Sequence, residues 1–213
     1  MLLHHYITTG SNGEECTGFY FPLEINVPLD ASRPFTEVRH EGTVRKLSTF
    51  ILTKAVDFND QLDRLHKELS HQELAALGQN CGLFAVACQT GETFGTERFT
   101  GSGNRSVQVK WSRAEEMLLA DGHAAPATEV GDALLLMHGD KSGRGIVNEK
   151  THVIVRVSAE DGFPPLYASK RGPTGEVFIH DLPAACRRYQ SKVIVPVQPY
   201  IKDAEFTVTP KQG

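Results

Sequence analysis

The sequence predicts an α+β fold with a mostly antiparallel sheet. Capping signals and helical periodicity crowd the stretch from Asp57 to Gly122. From Val130 onward the chain instead breaks into short apolar runs divided by Gly, Pro and Asp, the pattern of successive strands. No internal repeat or low-complexity tract interrupts either part.

Near the start, "GFYFPLEINV" (Gly18–Val27) and "TVRKLSTFILTK" (Thr43–Lys54) alternate as strands around a polar, Pro-containing loop. "DFNDQLDRLHKEL" sets Leu62, Leu65 and Leu69 on one helical face, with Asn59 or Asp60 as the cap. Ser70 and Glu73 form a capping box that opens "HQELAAL", which Gly78 closes. Asn80 then caps a helix whose Leu83, Phe84, Val86 and Ala87 make a broad apolar stripe. A glycine-rich loop and a strand "SVQVKW" follow. "SRAEEMLLADG" reads as a further helix, with Ser112–Glu115 as its capping box and Gly122 at its end. Five strands complete the chain: "GDALLLMHG", "THVIVRVS", "PLYAS", "EVFIHDL" and "KVIVPVQPY".

The chain has 213 residues, 40% hydrophobic and 23% charged, enough for one generous domain or a domain with an extension. The expected division is residues 1–78, an N-terminal strand and helix extension or cap, and residues 79–213, the main domain. A net charge of -4 with thinly spread Lys and Arg argues against a nucleic-acid partner. No apolar run is long enough to span a bilayer, so no membrane insertion is expected. "MLLHHYITTGSNGEE" lacks the charged and apolar regions of a signal peptide, which places the chain in the cytoplasm of its producer. Cys16, Cys81, Cys88 and Cys186 are scattered, with no C-x-x-C pair. They read as free thiols; no metal site and no cofactor is expected.

Cys81 is the candidate for chemistry. It follows the cap directly, so it occupies the first helical position, where amides and the helix dipole favour a thiolate and can later hold an oxyanion. The same position suits a small apolar residue packed in the core. A cysteine nucleophile needs a base. His152 opens an otherwise apolar strand and can face a cleft or rest at the rim; His138, ending "ALLLMHG", is the rival.

The order of these pieces resembles the NlpC/P60 family of papain-like cysteine peptidases. The matching residues are Asn80-Cys81-Gly82-Leu83, Gly131-Asp132-Ala133-Leu134, His152-Val153-Ile154-Val155, Ala168-Ser169 and Ile179-His180-Asp181-Leu182. The stretch "WSRAEEMLLADGHAAPATEVGDALLL" is similar to the helix-Pro-Gly-Asp segment of the related CHAP amidases. The resemblance implies a papain-like NlpC/P60 fold in which the Cys81 helix packs on the sheet. It implies a cysteine endopeptidase or amidase in which Cys81 attacks a carbonyl and His152 activates it. The third polar position, a histidine in the family, is Tyr167 here, with Ser169 and Asp161 as weaker substitutes. The serine that usually follows the cysteine is replaced by Gly82. "GDKSGRGIVNEK" (Gly139–Lys150) reads as a loop at the cleft edge.

The family's substrate is the peptide of bacterial peptidoglycan. Without a leader, such a wall hydrolase would be a secreted antibacterial effector, delivered to a target periplasm by a secretion-system component, or phage-associated, with an immunity protein in the producer. Two alternatives stand beside it: a papain-like effector that deamidates or cleaves a protein substrate, and an inert binding module on the same scaffold.

Overall fold

The computed structural model describes residues 4–9, 15–22, 29–40, 43–76, 80–91, 109–113, 117–118, 128–142, 144–146, 151–160, 162–191 and 193–201. The N-terminal strands are β1 (His4–Thr9), β2 (Glu15–Pro22), β3 (Phe35–His40) and β4 (Thr43–Ser48). The helices α1 (Thr49–Glu68), α2 (His71–Ala76) and α3 (Cys81–Thr90) follow. After them come β5 (Val109–Arg113), β6 (Met117–Leu118), β7 (Ala133–Gly139), β8 (Gly145–Ile146), β9 (His152–Arg156), β10 (Leu166–Lys170) and β11 (Val177–Asp181). The last described elements are α4 (Leu182–Tyr189) and β12 (Val193–Ile201).

Mixed α+β architecture with an antiparallel sheet is what the chain adopts. Among the described residues ten strands form one sheet in the order β1-β2-β11-β10-β9-β7-β12-β5, with β6 on β12 and β8 on β7. All of its strand pairings are antiparallel. β3 and β4 form a separate hairpin, joined to the segment after β9 by the Ser48 N–H to the Val157 carbonyl at 2.8 Å and the Ala159 N–H to the Lys46 carbonyl at 3.0 Å.

Side chains alternate across the sheet and build two cores. On one face Ala133, Leu135 and Met137 of β7, Val153 and Val155 of β9, and Leu166 and Ala168 of β10 meet Ile51, Leu52, Leu83 and Phe84 of α1 and α3. Phe58 and Phe84 join the two helices edge to face, with ring centroids 5.4 Å apart. On the other face Leu134, Leu136, Ile154, Tyr167 and Ile194 pack beneath Leu182 and Ala185 of α4. Strands covered on both faces need continuous apolar runs, and "ALLL" in β7 is one.

Three local readings of the sequence are corrected. The strand expected over Thr43–Lys54 stops at Ser48, which caps α1 by accepting the Ile51 N–H. The helix therefore begins ten residues before Asn59, the earlier of the two expected caps. Asn59 lies inside it, and its Oδ1 accepts the Val177 N–H at 2.7 Å, tying α1 to β11. The helix expected over "SRAEEMLLADG" is replaced at both places where it is described: Ser112 and Arg113 belong to β5, and Met117 and Leu118 pair with Ile194 and Val193. Glu115 and Gly122 lie outside the described residues, as does Gly78. The expected loop over Gly139–Lys150 contains a hairpin, with Gly139 opposite Gly145 and Asp140 Oδ1 accepting the Ser142 and Arg144 N–H groups. A Cβ on Gly145 would stand 2.4 Å from Cε of Met137, so a larger residue there would displace the flexible end of that side chain.

The N-terminal segment contributes to the main body. β2 pairs with β11 and carries β1 as the sheet's end strand, and α1 shares one core with α3. Among the described residues no helix is long and apolar enough to cross a membrane.

Candidate active site

Asn80 Oδ1 accepts the Gly82 N–H at 3.0 Å and the Leu83 N–H at 3.2 Å, and this cap fixes where α3 begins. The helix is held by burial of Leu83, Phe84 and Val86; each large apolar side chain contributes about 1.5–3 kcal/mol. Gly91 ends it with φ 77°, a left-handed cap that glycine adopts without strain. Cys81 stands at the first position, partly buried against the core shared by α1 and α3. Burial pushes its thiol up; hydrogen bonds from the backbone of Val153, Gly82 and Cys81 itself, and the charge of Lys170, oppose that rise.

His152 and Tyr167 are placed elsewhere. Val153 faces the α3 side of β9, so His152 and Ile154 face the α4 side. There the His152 imidazole stacks on Tyr189, with centroids 3.6 Å apart and planes 16° from parallel. Its Nε2 is buried, with no hydrogen-bond partner among the described residues. Burial, followed by the charges of His180 and Arg188, lowers its basicity well below the usual imidazole range. Tyr167 is also on the α4 side, fully enclosed in that core, and its hydroxyl lies 3.3 Å from Thr128 Oγ1. The sheet thus separates Cys81 from both side chains that the motif order grouped with it.

The rival and substitute residues are accounted for as well. His138 Nε2 donates to the Tyr189 carbonyl at 3.1 Å, at the end of α4. Ser169 Oγ is 2.8 Å from His180 Nε2, and the buried His180 Nδ1 has no hydrogen-bond partner among the described residues. Asp161 lies outside the described residues. Cys88 is buried and its thiol is pushed up by that burial; Cys186, partly buried on α4, is pushed up to about 12. Cys16 lies in β2.

The residue missed in the sequence is Lys170. It ends β10 on the same face as Leu166 and Ala168, with 0% exposure. Its Nζ donates to the Gly175 carbonyl at 2.6 Å and the Pro173 carbonyl at 3.3 Å. Burial lowers the amine to about 8, while Cys81 and Glu176 act in the opposite direction. The turn motif "KRGPTGE" after an apolar strand was the available signal, since its carbonyls have to be satisfied by some donor. Among the described residues no group of three or more His, Cys, Asp or Glu comes together to hold a metal.

Comparison of the chain with family models, with curated proteins and with solved structures finds no match.

Proposed function

We propose that the chain is a cysteine hydrolase that opens an amide bond with Cys81 as nucleophile, on a papain-like scaffold of the NlpC/P60 kind. The observation that supports this reading is the position of Cys81: partly exposed, first in a capped helix, with backbone amides around its sulfur. Attack of Sγ on the carbonyl carbon forms an S–C bond and an oxyanion, which the Cys81 amide stabilises. Collapse breaks the C–N bond and expels the amine, which takes up the proton that the Cys81 thiol gave up. Water then releases the acyl group and restores the thiol.

The substrate proposed is a peptidoglycan peptide. In the test, wild type and Cys81→Ala are incubated with purified peptidoglycan, and the soluble fragments are identified by mass spectrometry. New amine and carboxyl termini from wild type, absent with a folded Cys81→Ala, support the reading. Equal fragment profiles overturn it.

A second reading, an inert binding module on the same scaffold, draws on the separation of His152 and Tyr167 from Cys81. It predicts that Cys81→Ala leaves both partner binding and biological effect intact.

A further inference from the structure

α4 lies between β11 and β12, so it is tethered at both ends to the sheet it covers. Its Leu182 and Ala185 close over Leu134, Leu136, Ile154 and Ile194. Histidines meet it at both ends. At the C-terminal end the Tyr189 ring stacks on His152 at 3.6 Å, and the Tyr189 carbonyl accepts His138 Nε2 at 3.1 Å. At the N-terminal end His180 directly precedes the cap residue Asp181. Ile179 and Ala168 face the α3 core, so His180 and Ser169 face the α4 side, where His180 Nε2 lies 2.8 Å from Ser169 Oγ.

Two of these rings are poor hosts for a charge. His152 and His180 are 4% and 3% exposed. Each has a buried nitrogen with no hydrogen-bond partner among the described residues, Nε2 in one and Nδ1 in the other. Protonation makes both nitrogens of an imidazole donors, so each ring would bury a charged N–H that nothing receives. His138 differs, because its bond to the Tyr189 carbonyl needs one N–H, which neutral and charged rings both supply.

The neighbouring groups do not compensate such a charge. α4 brings the Arg188 cation, whose field reaches both rings, and beside it Arg187 and the Cys186 thiol. β10 brings the Tyr167 hydroxyl, next to Thr128, and β9 brings Arg156, which donates to the Thr128 carbonyl. Of the carboxylates, Asp181 has Oδ1 engaged by the Ala184 N–H as the cap, and Asp132 accepts the Glu129 N–H.

We propose that α4 is an acid-released clamp: protonation of His152 and His180 lifts the helix off the sheet while the α3 side of the fold stays closed. The inference is independent of the role of Cys81. Lifting α4 brings both rings to water and uncovers Leu134, Leu136, Ile154 and Ile194. Neither histidine belongs to the core shared by α1 and α3, so protons taken up on the α4 side leave Leu83 and Phe84 packed. One layer of the molecule therefore yields to acid before the other.

The sign follows from the two states of each ring. Burial, then the charges of His180 and Arg188, holds the enclosed His152 well below the usual imidazole range. Burial, opposed by the Asp181 backbone and helped by Arg188, holds the enclosed His180 down to about 4. A ring freed by opening titrates near 6.5. The clamp is held fully above about 6.5 and is lost as pH falls toward about 4. Within that window each histidine multiplies the opening constant by up to about 10-fold per pH unit, and the two together by up to about 100-fold.

Amide hydrogen exchange, read by mass spectrometry on the full chain, tests this through the protection of α4 and of α3 at each pH. Protection is taken relative to the unfolded chain, which removes the intrinsic pH dependence of exchange. Between about pH 6 and about pH 5, α4 should lose protection by more than about 10-fold while α3 keeps its own. His152→Phe, which preserves the stack on Tyr189, and His180→Gln, which preserves a polar partner for Ser169, should each remove about half of the logarithmic slope. The double variant should abolish it. Where the double variant does not fold, the two single variants carry the test. Where α4 amides exchange too fast to follow, labelling of Cys186 on α4 against Cys88 on α3 with dithiodipyridine, which reacts with thiols in acid, gives the same comparison. Loss of protection in α3 in step with α4 would show acid unfolding of the whole chain and overturn the proposal. A slope that both single variants leave intact overturns it as well.

Discussion

His152 lies face to face with Tyr189, their rings 3.6 Å apart, and the sheet stands between this pair and Cys81. A histidine in that position fastens α4 to β9. Its buried Nε2 has no partner among the described residues, so the imidazole contributes packing at the cost of an unsatisfied polar atom. His152→Phe should keep the stack and leave stability equal or higher. His152→Ala should lose about 2–3 kcal/mol, read from urea unfolding midpoints. A histidine acting as the base for Cys81 would instead make both variants inactive with little difference between them in stability.

Acid should loosen the α4 side. Burial holds His180 down to about 4 and His152 well below its usual range, while an unfolded histidine titrates near 6.5. Below about 6.5 the unfolded chain takes up protons that the folded chain refuses, so stability falls as pH falls. The contribution is fully present above the unfolded value and is lost progressively as pH drops to about 4. His180 alone accounts for on the order of 3 kcal/mol across that window. Urea titrations at a series of pH values measure it, and His180→Gln should flatten the slope.

Removing residues 1–56 should unfold the protein rather than widen its specificity. The deletion takes Leu47, Ile51, Leu52 and Ala55 out of the core that also holds Leu83 and Phe84. It also removes β2, which pairs with β11 at Phe178 and Ile179. Far-ultraviolet circular dichroism of the truncated chain decides this: a cooperative melting transition would show that the segment is dispensable.

Much of the architecture was legible because local signals and burial agree. Asn80 caps α3, Ser70 and Glu73 exchange hydrogen bonds as a capping box, and the apolar runs after Val130 are strands of one sheet. Where the reading failed, the competing signal was subtle. Ser48 could continue a β-branched strand or cap a helix, and it caps. α4 was overlooked in "DLPAACRRY", although Asp181 accepting the Ala184 N–H at 2.6 Å and Pro183 in the first turn are ordinary helix-start features. The site was harder still. From His152 to Val155 every residue of β9 is buried, so no alternation in the sequence told which face His152 would take. One step of parity separates a histidine beside Cys81 from one beside Tyr189. The signal for Lys170 in "KRGPTGE" is weak for a related reason: a lysine ending a strand reads as solvated until the turn carbonyls that enclose it are known.

The nucleophile reading is tested most directly by comparing the alkylation rates of the cysteines within the native wild-type protein at about pH 8, with the unfolded chain as reference. Cys186 is the informative internal control, since it too is only partly buried but sits on the other side of the sheet with its thiol pushed up to about 12. Cys81 should react faster than both Cys186 and Cys88 in the folded protein, and the difference should vanish on unfolding. If Cys81 reacts no faster than Cys186 in the native state, it is a packing residue and the hydrolase assignment fails.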